Sequence, residues 1–384
     1  MAPKNALKIL VLGWFMVLEQ HVITGYKISA EEDQELERQL NLLNKPAVTT
    51  IQTTYGDSYD CVDFHLQPAF DHPLLKNHKN DFEMSSFDFR LEQGTNGVSF
   101  DFDPSKIWLN GKGCPPNTVP IKRITKQDLI GANVAGEIAY NNSLNINPGV
   151  EVAVLRTTGQ SKYYGAGMTV SVYHPAVQGT QYSSSHIKFQ NGPDSISVGW
   201  TVNPSLYPDK ETRLFIYTVT KNSHCYNTFC PGFVILSPNI PVDLLLKPYS
   251  KIGGPTYETN LFVRKRATNG DWFLAIGKDV PVGFWPQRIF TGLADSANYV
   301  EWGGEVYSPP GTSPPPMGAG HLPTGKLYDN CYGRQITLIG ENQQIDHNPP
   351  SCQPYSNSKG YKLVDAGVIR PPFDRTIAFG GNGL

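Results

Sequence analysis

Beyond about residue 130 the chain is a succession of short apolar runs separated by turn residues, and Thr169-Val170-Ser171-Val172-Tyr173 alternates apolar and polar with a strict period of two. This is the pattern of strands with one face in a core and one outside it. Strands are predicted over 150–157, 167–173, 195–202, 213–221, 232–236, 259–266, 272–276, 299–307, 335–339 and 360–364, with turn residues between them. So many short strands predict a mainly β chain, an antiparallel sandwich or a barrel. A helical period occurs over 29–45, where Leu36, Leu40 and Leu43 form one stripe. Ser29 and Glu32 make a capping-box pattern, Glu31, Glu32 and Asp33 load the first turn, and Pro46 ends the helix. Beyond residue 130 the one helical stretch predicted is a short one, 286–297. From 49 to 122 the pattern is mixed: 61–68 is read as a strand ended by Pro68, 71–78 as a turn, and 79–113 as partly irregular. The N-terminal region is therefore expected to be a small α+β unit.

The same strand pattern supplies a candidate centre. In Tyr299–Tyr307, Glu301, Gly303 and Glu305 point to one face, and Trp302, Gly304 and Val306 to the other. Two carboxylates thus share a face across a glycine. An acid–base centre could use that arrangement, and so could an ordinary solvated strand face.

Three further features change the picture. Lys4 and Lys8 border a short apolar run over 6–18, a secretory signal pattern with cleavage after Gly25 or as late as Ala30. An uncleaved anchor is the rival reading. Removal of the signal would leave a secreted, extracellular chain with no membrane attachment. The six cysteines, Cys61, Cys114, Cys225, Cys230, Cys331 and Cys352, are an even set on that route. Pairing of neighbours is the simplest connectivity: 61 with 114, 225 with 230, and 331 with 352. Asn141-Asn142-Ser143 is a glycosylation sequon at Asn141, in what reads as a polar turn over 140–147. Residues 123–128, beside Lys122 and containing Arg123 and Lys126, read as a linker or as a site where a pro-segment is cut. The expected organisation is a signal over 1–25, a pro-domain over 31–122 and a β-sandwich over 128–384.

Net charge is −2 among 384 residues, without a basic block, so a nucleic-acid partner has no electrostatic support. His65, His72 and His78 fit no standard metal spacing, and no cofactor or metal is expected. There is no Gly-x-Ser-x-Gly elbow, no phosphate loop and no His-Glu-x-x-His. Carboxylate chemistry remains, which needs one group held as acid and one as base.

Several separated blocks resemble the plant neprosin family. Asp60-Cys61-Val62-Asp63, Gln67-Pro68-Ala69-Phe70, His72-Pro73-Leu74-Leu75 and Cys114-Pro115-Pro116-Asn117 resemble its activation peptide. Tyr163-Tyr164-Gly165-Ala166, Gly199-Trp200-Thr201-Val202-Asn203-Pro204, Cys225-Tyr226-Asn227, Val282-Gly283-Phe284-Trp285-Pro286, the Glu301 strand and Met317-Gly318-Ala319-Gly320-His321 resemble its catalytic domain. The resemblance implies a secreted zymogen of the apoplast or cell wall with a glutamic-peptidase-type sandwich. It also implies an endopeptidase cutting next to proline with two glutamates and no cofactor. Glu301 aligns with one glutamate, with Glu305 as second choice. The other is expected in Ile-Glu-x-Gly-Trp, where this chain reads Ile196-Ser197-Val198-Gly199-Trp200. Ser197 thus stands at a glutamate position, and a hydroxyl does not replace a carboxylate as acid or base.

Three functions follow for comparison. The first is a glutamic endopeptidase zymogen held by its own pro-domain. The second is an inactive relative binding proline-rich peptides or wall proteins. The third is a carbohydrate-binding sandwich using Trp200, Trp285 and Trp302. The expected cleft residues are Trp200, Trp302 and Gly303. Oligomeric state does not follow from the sequence.

Overall fold

A computed structural model describes residues 29–76, 106–143, 148–159, 161–277 and 280–383. The signal pattern, His78 and most of the irregular stretch lie outside the described residues.

The N-terminal helix α1 (Ala30–Leu43) forms where expected. Ser29 Oγ accepts the Glu32 amide at 3.1 Å, and the Glu32 carboxylate accepts the Ser29 amide at 3.0 Å. These reciprocal bonds satisfy amides that the first helical turn cannot. A small antiparallel sheet follows, built from β1 (Ala47–Gln52), β2 (Ser58–Asp63) and β3 (Thr118–Lys122). The Cys61–Cys114 disulfide ties its centre. The strand expected over 61–68 stops at Asp63, where the chain turns into a 3-10 segment, Phe64–Leu66.

The expected linker is only three residues long. After Lys122 the chain enters a second helix, α2 (Lys126–Ser143), so the boundary placed at 128 falls inside an element. Thr125 and Asp128 cap it: the Asp128 amide donates to Thr125 Oγ1 at 3.2 Å, and Asp128 Oδ2 accepts the Thr125 amide at 2.9 Å. The turn expected over 140–147 begins instead as the last turn of this helix, and Asn141 sits on it.

The rest is strands. They are β4 (Val150–Thr157), β5 (Gly165–Ser171), β6 (Tyr182–Asn191), β7 (Asp194–Val202), β8 (Arg213–Thr220), β9 (Ser223–Tyr226), β10 (Val234–Ile235), β11 (Glu258–Lys265) and β12 (Trp272–Ile276). They continue as β13 (Val280–Trp285), β14 (Tyr299–Tyr307), β15 (Met317–Gly318), β16 (Cys331–Ile339), β17 (Ile345–Asp346), β18 (Cys352–Ser356), β19 (Tyr361–Ile369) and β20 (Asp374–Gly381). A ten-stranded sheet runs β10-β13-β12-β11-β5-β16-β20-β15, with β17 and β19 added at β16 and β20. A seven-stranded sheet runs β18-β4-β14-β6-β7-β8-β9. All pairings are antiparallel, and the two sheets enclose one core, so the chain is a β-sandwich rather than a barrel. The helix expected over 286–297 is only a 3-10 turn, Gln287–Ile289, followed by a loop. That loop is fixed by buried Asp194, whose Oδ2 accepts the Thr291 and Leu293 amides at 2.6 and 3.2 Å.

The core does not respect the division between N-terminal region and sandwich. Tyr59, Phe70, Trp108 and Val119 belong to the same buried cluster as Trp200, Trp272, Trp285 and Trp302. Polar bolts cross the same boundary. The buried Gln67 amide donates to Ile235 O at 3.2 Å and accepts from the Ile235 amide at 2.7 Å, so a side chain extends the edge of β10. Trp108 Nε1 donates to Asn239 O at 3.1 Å. Buried Arg213 of the sandwich reaches Asp57 of the β1–β2 turn at 2.7 and 3.1 Å.

Two disulfides form as expected, Cys61–Cys114 and Cys225–Cys230. The third does not: Cys331 and Cys352 are thiols. Cys331 lies on β16 opposite Phe379, and Cys352 on β18 opposite Thr157, in different sheets. Nearness along the chain carried no information about nearness across the sandwich.

Candidate active site

The site lies on the outer face of the seven-stranded sheet, where register sets every neighbour. Glu301 on β14 stands opposite Lys188 on β6, and Lys188 stands opposite Ser197 on β7. The next same-face row is Gly303, His186 and Gly199, and the next is Glu305, Ser184 and Thr201. Period-two alternation therefore brings Glu301 and Ser197 onto one face, with Lys188 in the row between them.

Glu301 is 6% exposed. His186 Nε2 donates to its Oε1 at 3.1 Å, and Tyr299 Oη donates to its Oε2 at 2.5 Å. Burial would raise the pKa of this carboxyl. The His186 hydrogen bond, the Lys188 charge and the Tyr299 hydroxyl outweigh burial and hold it at about 2. Glu301 is thus an ionised acceptor over the whole ordinary acid range. The Tyr299 hydroxyl is pushed up by burial and by the neighbouring carboxylate.

Glu305 is not its partner. Four residues along a strand separate the two by about 13 Å, and Glu305 Oε1 accepts from Tyr182 Oη at 2.6 Å. Ser197 is buried, lines a small cavity and makes no side-chain hydrogen bond among the described residues. That cavity is also lined by His186, Lys188, Ser195 and Glu305, and it is closed by Tyr217, Tyr226 and Ala139 of α2.

The expected cleft tryptophans are elsewhere. Trp200 and Trp302 are fully buried on the opposite face, inside the sandwich, with Trp200 Nε1 donating to Ser171 O at 3.1 Å. Being one residue from the cleft face, alternation turns them inward. Gly303 lies on the Glu301 face, opposite His186, and is not among the residues that line the cavity. Its φ is +151°, and a Cβ there would stand 2.3 Å from Ala153 O, so a side chain would force β4 away. Gly199 is equally closed, with a Cβ position 1.8 Å from Ser185 O. The two glycines flank His186, so its imidazole has no side chain directly opposite on either side.

His186 and Lys188 were not singled out from the sequence. They lie on β6, which the pattern did not predict as a strand. The signal that could have found them is Tyr182-Ser-Ser-Ser-His-Ile-Lys-Phe189, where Ile187 and Phe189 alternate with His186 and Lys188.

Helix α2 covers this face. Ala132, Ala135 and Ala139 pack on Phe215, Tyr217 and Tyr226, and Tyr217 Oη donates to Gly136 O at 3.0 Å. Tyr140 stacks on His224 of β9 with ring centres 4.2 Å apart, and His224 Nε2 is 3.3 Å from Glu137. In turn α1 lies against α2, with Lys126 bonded to Asp33 and Glu37. The cavity left under α2 is about 30 Å³, room for water and not for a peptide.

Comparison with solved structures finds Scytalido-glutamic peptidase with a transition state analog inhibitor, at TM-score 0.35 and 6% identity, covering 60% of this chain and 98% of that one. It also finds SCP-B, a member of the Eqolisin family of peptidases, in complex with the tripeptide Ala-Ile-His, at TM-score 0.33 and 5% identity, covering 60% and 98%. Chicken Galectin 2 matches at TM-score 0.22 and 9% identity, covering 41% and 96%. Among sequence families, residues 50–163 match the Neprosin activation peptide, a span that includes α2, and residues 179–382 match Neprosin. The second match alone takes in more than half of the 384 residues, both strands of the Glu301–Ser197 row and the Lys188 strand between them, and the chain belongs to the neprosin family.

Proposed function

We propose that the chain is a secreted peptidase-family precursor. Its cleft, once α2 is lifted, takes up an extended proline-containing peptide, and the two-carboxylate hydrolysis implied by the family is lost at Ser197. The observation that carries this reading is the Glu301 row. A two-carboxylate mechanism needs one carboxyl that keeps its proton at working pH. Glu301 is held at about 2, and the row that should present a second carboxylate presents Lys188 and Ser197. Support for the precursor state comes from the activation-peptide match and from α2, which leaves no room for a peptide. Secretion is supported by the N-terminal pattern and the two disulfides. Preference for proline rests on the family resemblance. The carbohydrate reading loses its basis, because Trp200, Trp285 and Trp302 are all fully buried.

The test is peptide cleavage at about pH 3.5 together with peptide binding, on the native chain, Ser197→Glu, Ser197→Glu with Lys188→Gln, and Glu301→Gln. The native chain is expected to bind and not to cut at that pH. A glutamate at 197 would face Lys188 and stay ionised, so acid cleavage is expected mainly in the double variant Ser197→Glu with Lys188→Gln. Native acid cleavage that disappears in Glu301→Gln would overturn the reading.

A further inference from the structure

We infer that the cleft holds a serine acyl-transfer centre where the carboxylate pair is missing. In it Ser197 is the nucleophile, His186 its base and Glu301 the group that orients His186, and the substrate class is a peptide amide or ester. It rests on the reading of this face as a peptide cleft.

The juxtaposition follows from register. His186 faces Gly199 and Ser197 faces Lys188, so Ser197 and His186 are diagonal neighbours on adjacent strands. The same kind of diagonal separates His186 from Glu301, and there it is bridged by a 3.1 Å hydrogen bond. Both Ser197 and His186 line the cavity under α2. Glu301 is buried and bonded to His186 Nε2 on the side toward β14, so the acid orients the ring through Nε2 and leaves Nδ1 as the base, the reverse of the nitrogen order in the serine-protease triad.

The chemistry of the donors fixes the roles. An ionised carboxylate only accepts, so the proton bonded to Glu301 sits on His186 Nε2. In the neutral imidazole the other nitrogen, Nδ1, then carries a lone pair, and it has no partner among the described residues. Ser197 Oγ has none either. Two cavity hydroxyls are engaged, Ser184 Oγ donating to Glu305 O at 3.2 Å and Thr201 Oγ1 to Ser183 O at 3.4 Å, and Ser195 stands one row further from His186 than Ser197 does. Gly303 and Gly199 on either side of His186 put no side chain against the ring while its Nε2 stays bonded to Glu301. Lys188, directly opposite Ser197, supplies a cation for an oxyanion.

The step balances within these groups. Ser197 Oγ bonds to the acyl carbon as its proton passes to His186 Nδ1, and the oxyanion forms beside Lys188. Collapse breaks the acyl C–N or C–O bond, and the leaving amine or alcohol takes the proton from Nδ1. Water then repeats the sequence, freeing the acid and restoring the Ser197 hydroxyl.

The test uses the full chain and two opened chains. One opened chain carries Ala135→Glu and Ala139→Glu, whose carboxylates cannot be buried on Phe215 and Tyr217. The other carries Glu137→Ala and Tyr140→Ala. Circular dichroism and hydrogen exchange verify folding and opening. Each is reacted with an alkyl fluorophosphonate between about pH 5 and 9, digested and weighed. The expected result is an adduct on Ser197 in an opened chain, about tenfold slower or more in the closed chain and faster as pH rises. His186→Gln should lower the rate by about 10²-fold or more. Glu301→Gln should lower it and move the pH profile, which loss of fold alone would not do. No adduct on Ser197 in either opened chain, or labelling unchanged in His186→Gln, overturns the inference. Binding of a proline-containing peptide to the same opened chains is scored separately. Binding without labelling sinks the serine centre alone, and labelling without binding sinks the peptide reading alone.

Discussion

At Glu301, three neighbours outweigh the cost of burying a charge, and that has a consequence for stability. Its folded pKa of about 2 lies below the ordinary 4.5. A depressed carboxylate stabilises the fold fully above its unfolded pKa and loses that contribution as pH falls through the folded value. The contribution is about 3 kcal/mol, present above about pH 4.5 and fading toward pH 2. Urea unfolding of the native chain and Glu301→Gln should therefore differ most near neutrality and converge toward pH 2. A gap that widens on acidification would contradict this. The cysteines give a second check. Burial pushes Cys331 up to about 12 and Cys352 up to about 11. Thiol titration should count two thiols in denaturant, with Cys331 silent in the folded chain. Of these residues, Glu301 was legible from strand alternation, and Ser197 from the family resemblance around Gly199-Trp200, with alternation giving its face. His186 and Lys188 were not, because Ser183, Ser184 and Ser185 mask the alternation of β6. The pairing of Cys331 and Cys352 misled because chain distance says nothing about which sheet a strand joins.

Among the elements, β14 was legible end to end, since Tyr299, Val300, Trp302, Val306 and Tyr307 carry its β-propensity, and Val300, Trp302 and Val306 its core face. Helix α2 was hidden. It contains Gly131 and Gly136, and it buries small side chains on one flank and Ile138 on another, which blurs any single stripe. Its Thr125-to-Asp128 cap was the available signal. The glycine is there for contact: a Cβ at Gly131 would stand 2.0 Å from Ser205 O. Docking of α2 depends on the Tyr140–His224 stack and the Glu137–His224 pair at its C-terminal half. Glu137→Ala with Tyr140→Ala should weaken that docking by about 1–2 kcal/mol. The change would be read as faster amide exchange in 132–143 with little change in β14. Equal acceleration in both would mean that the helix is not a separate opening unit.

For the whole molecule, the shared core and its polar bolts decide what happens after a cut between β3 and α2. The N-terminal piece would leave behind Arg213 without Asp57 and the Ile235 edge without Gln67, both otherwise buried. Breaking a buried pair of this kind typically costs several kcal/mol. A chain nicked within 123–125 should therefore elute as one particle near neutral pH, and Gln67→Ala with Asp57→Ala should promote separation of the pieces. Separation of the unmodified pieces at neutral pH would show that the common core contributes little. The sandwich architecture was legible from the succession of strands. The fusion of its core with the N-terminal unit was not, because long-range packing leaves no periodic mark.

The glycines beside His186 bear on how this cleft can change over generations. At Gly303 and Gly199 any side chain would strike the backbone of a neighbouring strand. Those two positions are closed to mutation, while Lys188, Ser195 and Ser197 around them are open. Divergence among descendants of this chain should therefore accumulate on β6 and β7, as exchanges of charge and hydroxyl around an unchanging pair of gaps. A random library spanning β6, β7 and β14, selected for folding alone, would recover glycine at 199 and 303 and tolerate many residues at 188 and 197.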